Sequence, residues 1–206
     1  MEENNKSKIL YSILIDISGS MYQHIDYLWD AYIKFNDEQK KNSKNDSQII
    51  ITPFNTKIRN RMVKSIDGDL NINFIPKDCT ALYNSYVETI QYVSKIYQQF
   101  DKVYFIVITD GVDNSSETFK KDDCRTFTNQ YPNWEFIYFG ANQNAVEVGN
   151  ELGIPEESCL TFSQDIEHTN NAFMSLSSAI DRSISSDSGV GIHFSQEERF
   201  SSSQML

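Results

Sequence analysis

The chain has 206 residues and a formal net charge of −11, from 18 Lys and Arg against 29 Asp and Glu. Hydrophobic residues make up 39 % and aromatic residues 13 % of it, so the composition excludes a wholly disordered chain. The acidic balance disfavours nucleic acid and anionic membranes as partners, because their phosphate groups would be repelled. At this length we expect a single domain with a tail.

Strand and helix patterns alternate along the first half of the chain. The β-branched, apolar run at 9–15 predicts a central strand that is buried on both faces. Apolar residues at spacings of three and four predict a helix over 21–41, and the run at 48–54 predicts a second strand. Alternation at 58–66 predicts an edge strand that pairs with the second strand as a hairpin. After an irregular stretch, a helix is expected over 81–100.

The same alternation continues in the second half. It predicts strands at 102–109, 134–139 and 159–162, with helices at 116–130, 145–152 and 166–184. Strands separated by helices indicate an α/β fold: a doubly wound, mostly parallel six-stranded sheet with one antiparallel edge strand and helices on both faces. We therefore predict an N-terminal extension at 1–7, a domain at 8–184 and a flexible, Ser-rich tail at 185–206.

The polar N-terminus and the cysteines indicate the expected cellular setting. Residues 1–6 are polar and acidic, which is not typical of a signal peptide. The longest apolar runs, such as 103–108, have the length of a strand and are too short to span a membrane. Cys79, Cys124 and Cys159 are odd in number and widely spaced, so we interpret them as reduced thiols. The expected location is the cytoplasm.

Oxygen-bearing side chains follow the predicted strands at the points where ligands bind in this fold class. Asp16 ends the first strand and is followed by Ser18 and Ser20, and Asp110 follows the strand at 102–109. Thr80 stands where the helix at 81–100 begins. In doubly wound sheets, ligands bind beyond the carboxyl ends of the strands. Three hydroxyls and two carboxylates form a hard donor set that favours Mg²⁺, with Mn²⁺ or Ca²⁺ as alternatives.

The arrangement Asp16-x-Ser18-x-Ser20, then Thr80, then Thr109-Asp110-Gly111 resembles the von Willebrand factor A (VWA) domain with its metal-ion-dependent adhesion site (MIDAS). The order of elements over residues 8–184 is similar as well. The resemblance implies that Ser18, Ser20 and Thr80 bind the metal directly or through water, and that Asp16 and Asp110 act through water and hydrogen bonds. It also implies that an Asp or Glu of a protein partner completes the coordination. The family commonly has glycine before the threonine, where this chain has Asp78 and Cys79.

Other functions fit the sequence less well. A haloacid-dehalogenase-type phosphatase needs a second Asp two residues after Asp16, where Ser18 stands. A serine hydrolase would need a Gly-x-Ser-x-Gly turn with a suitable His, and we interpret His24 as a solvated residue at the rim. A VWA scaffold whose metal is structural or unused remains an alternative. Tyr22 and Tyr83 are candidates for a protein-binding surface, and 113–116 are interpreted mainly as turn and cap residues.

Overall fold

The computed structural model describes residues 7–42, 46–68, 74–185 and 191–203. Strands and helices alternate within them. The strands are β1 (Ile9–Asp16), β2 (Gln48–Phe54), β3 (Met62–Ser65), β4 (Lys102–Thr109), β5 (Glu135–Ala141) and β6 (Cys159–Phe162). The α-helices are α1 (Ile25–Asn42), α2 (Leu82–Val93), α3 (Lys121–Asn129), α4 (Ala145–Glu151), α5 (Ile166–Ser185) and α6 (Gln196–Ser202). Short 3₁₀ helices cover Gly19–Gln23, Tyr97–Gln99 and Glu156–Ser158.

The six strands form one sheet in the order β3-β2-β1-β4-β5-β6. β3 runs antiparallel to β2, and every other neighbouring pair is parallel. This confirms the predicted mostly parallel sheet with one antiparallel edge strand. Because β1, β2, β4, β5 and β6 are parallel, their carboxyl ends and the loops that follow them meet at one edge of the sheet.

Alternate side chains of β1 face two separate hydrophobic cores. Tyr11 and Ile13 belong to the core that is closed by α1 and α5, where Phe35 and Phe173 pack. Leu10 belongs to the core on the opposite face, where α2 and α4 lie. All eight residues of β1 are buried, which confirms the predicted central strand and explains its nearly continuous apolar sequence.

Several element boundaries differ from the prediction. The helix predicted over 81–100 ends at Val93 and is followed by the 3₁₀ helix Tyr97–Gln99, and the helix predicted over 21–41 begins at Ile25 after the 3₁₀ helix Gly19–Gln23. The predicted helix over 116–130 begins only at Lys121, because the residues before it bond to the start of α2. There, the Asn84 N–H donates to Ser116 Oγ (2.9 Å) and the Phe119 N–H donates to Asn84 Oδ1 (2.9 Å). The predicted edge strand at 58–66 begins at Met62, because Ile58 makes only an isolated bridge to Phe54.

The prediction of a flexible tail is wrong for residues 191–203, which fold back onto the domain. Ile192 and Phe194 are buried in the core beside Phe139, and α6 follows them. Arg199 of α6 donates to the carbonyl oxygens of Cys159 (2.7 Å) and Glu156 (2.9 Å), which fixes the helix beside β6. The remaining tail residues, 186–190 and 204–206, lie outside the described residues, as do 1–6, 43–45 and 69–73.

Cys124 and Cys159 are buried free thiols, and Cys79 is an exposed one. Burial raises the pKa of Cys159 to about 12, with Arg199 acting in the opposite direction. None of the helices in the described part of the chain combines the length and the apolar character needed to cross a bilayer.

Candidate metal centre

The predicted site residues lie at the carboxyl edge of the sheet, where β1 and β4 end side by side. Asp16 is the last residue of β1, and the two strands pair up to Ile15 and Ile108. The loops that carry Ser18 and Asp110 therefore begin at neighbouring points. This register explains why side chains 90 residues apart in sequence come into contact.

A chain of hydrogen bonds joins four of the five predicted residues. The Ser18 and Ser20 hydroxyl oxygens lie 3.1 Å apart, and Ser20 Oγ donates to Asp110 Oδ1 at 2.7 Å. The Ser18 N–H donates to Asp16 Oδ1 at 2.7 Å. Thr109 Oγ1 donates to the other oxygen, Asp16 Oδ2, at 2.6 Å. The two loops thus present a compact group of oxygen atoms.

Thr80, the fifth predicted residue, reaches the same place from the segment before α2. Its N–H donates to Asn114 Oδ1 (2.8 Å), and its carbonyl oxygen accepts from the Asn114 N–H (2.9 Å). The Thr80 hydroxyl oxygen lies 3.5 Å from the position that a Cβ on Gly111 would occupy. Thr80 is therefore fastened to the loop that carries Asp110, and its hydroxyl lies close to that loop.

The floor of the site is buried and its mouth is open. Asp16, Ser18 and Thr80 are buried, whereas Ser20 is exposed and Asp110 is partly exposed. Burial raises the pKa of Asp16 to about 6; the hydrogen bonds from Thr109 and Ser18 lower it, and the nearby Asp110 raises it. A cation at the mouth would stabilise the ionised form of this buried carboxylate.

The donor set fits a hard divalent cation. It contains three hydroxyl oxygens and two carboxylates, and oxygen ligands are those that Mg²⁺ prefers. No group of three or more His, Cys, Asp or Glu placed to hold a metal ion occurs among the described residues. A site built from hydroxyls with only two carboxylates would not form such a group.

Asp78 stands where the VWA family commonly has glycine, and it bonds to the loop after β1, which carries Ser18 and Ser20. The Gly19 N–H donates to the Asp78 carbonyl oxygen at 3.0 Å, and Asp78 adopts a left-handed backbone conformation with φ of 68°. Its side chain accepts hydrogen bonds from Arg59 (3.1 Å) and Asn55 (3.2 Å). Asp78 therefore stiffens the loop, while the neighbouring Cys79 is exposed.

Gln164, which the sequence reasoning missed, contacts the site from the loop after β6. Its Nε2 donates to Asp110 Oδ2 at 3.2 Å, so the carboxylate is bonded through both oxygens. Asn142 fixes the orientation of this amide: Asn142 Nδ2 donates to Gln164 Oε1 (2.7 Å), and the Gln164 N–H donates to Asn142 Oδ1 (3.1 Å). Nothing in the local sequence distinguishes Gln164 from an ordinary loop residue.

Exposed apolar side chains lie near the site. Their exposed fractions are 62–71 %, and they come from four segments of the chain: Tyr22 from the 3₁₀ helix after β1, Ile75 from the stretch before α2, Val112 from the loop after β4, and Ile166 from the first residue of α5. Each lies two positions from a residue that bonds within the site or to the loop after β1. These neighbours are Ser20, Lys77, Asp110 and Gln164. We call these four residues the apolar rim. Tyr83, the other aromatic candidate, is only partly exposed, and its hydroxyl bonds to Glu151 at 3.3 Å.

Two of the three histidines bond through their rings to residues other than the site serines. His24 Nδ1 bonds to the Tyr27 hydroxyl, and His168 Nδ1 bonds to Asp165 Oδ2 at 2.6 Å. Within the described ranges, no hydrogen bond joins a histidine ring to Ser18 or Ser20. Asp113 caps the start of α2 by accepting from the Tyr83 N–H at 3.2 Å, in agreement with its interpretation as a cap residue.

Comparison with solved structures finds the same fold at low sequence identity. Proximal thread matrix protein 1 from the mussel byssus matches with a TM-score of 0.57 and 12 % identity, over 84 % of this chain and 46 % of that chain. The von Willebrand factor type A structure from Catenulispora acidiphila matches with a TM-score of 0.55 and 13 % identity, over 84 % of this chain and 42 % of that one. The SpRpn10 VWA domain matches with a TM-score of 0.54 and 9 % identity, over 81 % of this chain and 94 % of that one.

The chain thus spans less than half the length of the first two proteins. In another structure of the mussel protein, zinc occupies the MIDAS motif (TM-score 0.55, 12 % identity, 87 % of this chain and 45 % of that one). No family model and no curated protein matches the sequence. The strand order, the helices on both faces and these structural matches together show that the chain has the fold of von Willebrand factor A domains.

Proposed function

We propose that this protein is a protein-interaction module in which a bound Mg²⁺ or Mn²⁺ ion coordinates an acidic side chain of a partner. One observation carries the proposal: Asp16, Ser18, Ser20 and Asp110 form a connected group of oxygen atoms at the carboxyl edge of the sheet. Thr80 is fastened beside them. The zinc-occupied MIDAS of the mussel protein supports divalent metal binding in this fold.

The five residues of the proposed site have two roles: some bind the metal ion, and the others orient those ligands. In the proposed site Ser18, Ser20 and Thr80 hold the ion through their hydroxyls, while Asp16 and Asp110 orient them and balance its charge. Neutral hydroxyls leave more positive charge on a divalent ion than a ring of carboxylates would. An ion held in this way would attract a further carboxylate, and that attraction is the chemistry it would supply when bound.

The apolar rim supports a protein as the partner. A small free anion would need only the ion, whereas protein interfaces bury aromatic and aliphatic side chains around a polar contact. The four exposed side chains of the apolar rim could supply such contacts around a carboxylate bound at the site. The proposed role is binding and not catalysis, since Ser18 occupies the place where a phosphatase of the haloacid-dehalogenase type needs an aspartate.

Metal titration and partner capture test the two halves of the proposal. Calorimetric titration of the purified protein is expected to show saturable binding of Mg²⁺ or Mn²⁺, weakened in Thr80→Ala. A pull-down from the native cells is expected to retain a partner that EDTA releases. Absence of metal binding at millimolar concentration would contradict the proposal, and a partner held equally in EDTA and by Thr80→Ala would favour a scaffold.

Replacing Gln164 by leucine is expected to weaken metal binding about threefold to tenfold. The substitution removes the amide donor from Asp110 Oδ2, and one hydrogen bond contributes about 0.5–1.5 kcal/mol. Titration calorimetry on Gln164→Leu measures the change. Gln98→Leu serves as the control, because Gln98 is exposed in the 3₁₀ helix before β4, at the opposite edge of the sheet. Equal affinities for the two variants would show that Gln164 does not support the site.

A further inference from the structure

Loops of opposite charge lie on the two sides of the candidate metal centre. On the side of β2, residues 55–61 and 74–80 contain four Lys and Arg against one Asp. On the side of β5 and β6, residues 142–147 and 163–168, which follow those two strands, contain three Asp and Glu and no Lys or Arg. The cationic side stands out in a chain whose net charge is −11.

We call Lys57, Arg59 and Lys77 the basic flank. The buried Asn55 holds it together: the Asn55 N–H donates to the Lys57 carbonyl oxygen (3.2 Å), and Asn55 Nδ2 donates to that of Lys77 (3.1 Å). Arg59 Nε donates to Asn55 Oδ1 at 2.8 Å. The Lys77 N–H donates to the Ile17 carbonyl oxygen at 3.0 Å, which places the flank directly beside the first site loop.

The exposed lysines supply the available charge of the basic flank. Lys57 and Lys77 are exposed, whereas Arg59 forms an ion pair with Asp78 at 3.1 Å. The next cation along the chain, Arg61, lies over the Tyr92 ring at 4.0 Å and donates to Thr52, so we do not include it in the flank. A partner that crosses this side would therefore meet two exposed ammonium groups.

We call Glu147, Asp165 and Glu167, which follow β5 and β6 on the opposite side of the site, the acidic flank. Glu147 and Glu167 are exposed. Asp165 follows Gln164, whose amide contacts Asp110, so this flank also reaches the site. Since surface charges act over about 8 Å at physiological ionic strength, each flank acts on its own side of a partner.

From this distribution we infer the charge pattern of the partner. We propose that the site takes a protein segment in which the metal-bound carboxylate has acidic residues on one side and basic residues on the other. The acidic part lies across the basic flank, and the basic part lies across the acidic flank. This inference rests on the proposed function and specifies its partner. A uniformly acidic segment is disfavoured, because half of it would face the acidic flank.

Labelled peptides of defined charge test the inference. The probes share a central Glu and carry three Asp on one side and three Lys on the other, six Asp, or six Lys. With saturating Mg²⁺ at low ionic strength, fluorescence anisotropy is expected to show that the mixed peptide binds about fivefold or more tightly than either uniform peptide. Equal or tighter binding of a uniform peptide, or no detectable binding of the mixed one, would overturn the inference.

Charge reversal locates the effect on the protein. The double variant Lys57→Glu, Lys77→Glu is expected to weaken the mixed peptide about fivefold to tenfold. The control Lys41→Glu, Lys95→Glu changes the net charge equally at exposed positions near the helix ends at the opposite edge, and it is expected to stay within about twofold of wild type. The variant Lys57→Gln, Lys77→Gln is expected to bind the mixed peptide with an affinity between those of wild type and the charge-reversal variant. Equal weakening by reversal and control would overturn the inference.

Metal titration without peptide distinguishes a failure of the proposed function from a failure of the inference about the partner's charge pattern. If the protein binds no Mg²⁺ or Mn²⁺, the proposed function fails and the inference fails with it. If it binds metal but does not prefer the mixed peptide, only the inference about charge pattern fails. If metal binding and peptide preference are both present and EDTA abolishes the preference, both proposals are supported.

Discussion

Alanine in place of Asp16 is expected to weaken Mg²⁺ or Mn²⁺ binding about 10- to 100-fold, the effect typical of losing a group that orients metal ligands. Asp16 is fully buried and accepts hydrogen bonds from the Ser18 N–H and the Thr109 hydroxyl. Its removal leaves both donors without this acceptor and frees the first loop. It also removes one of the two carboxylates that balance the charge of the proposed ion.

Titration calorimetry of Asp16→Ala against wild type measures this loss. Asp26→Ala is the matched control, since it removes an equal charge at an exposed position in the first turn of α1. The control is expected to bind metal with wild-type affinity. Equal affinity of Asp16→Ala and wild type would contradict the proposed centre. Circular dichroism of both variants shows whether a loss of binding merely reflects unfolding.

Alanine in place of Phe194 is expected to lower the free energy of unfolding by about 3–5 kcal/mol, as for other large-to-small changes of a buried aromatic side chain. Phe194 is only 5 % exposed, and its ring lies 5.8 Å from that of Phe139 in the core on the α5 side. Its N–H also donates to the Glu157 carbonyl oxygen at 2.9 Å. The cavity left by the ring would therefore lie inside the core between the sheet and α5.

The same C-terminal segment offers the control for this prediction. Phe200 in α6 is 73 % exposed, so Phe200→Ala is expected to change the free energy of unfolding by less than about 0.5 kcal/mol. Urea denaturation followed by tryptophan fluorescence compares the two variants under identical conditions. Similar stabilities for Phe194→Ala and Phe200→Ala would show that residues 191–203 do not pack as the structure describes.

The C-terminal segment shows where composition alone misled the prediction. The Ser-rich stretches around 186 and 202 favour a solvated tail, and their low apolar content hides the two buried side chains Ile192 and Phe194. A capping box at the start of α6 was a local signal: Ser195 accepts from the Glu198 N–H, and Glu198 accepts from the Ser195 N–H. The burial itself depends on Phe139 and β6, which no local pattern indicates.

The candidate metal centre was predictable in part. Asp16, Ser18, Ser20, Thr80 and Asp110 stand at strand ends or a helix start, and the structure brings their loops together. The supporting contacts from Gln164 and Asn142 were not predictable, because each is an ordinary polar loop residue whose role depends on a neighbour 22 or 54 residues away.

The sequence by itself determined the strands, most of the helices and the order of the site loops, because hydrophobic periodicity and strand-end residues are local properties of the chain. Only the tertiary structure decided which loops touch, how C-terminal residues 191–203 close the core, and how the charges are distributed. The net charge of −11 indicates an acidic chain but does not say where its basic residues lie. Folding gathers Lys57, Arg59 and Lys77 on one side of the site, since the buried Asn55 joins segments that are distant in sequence.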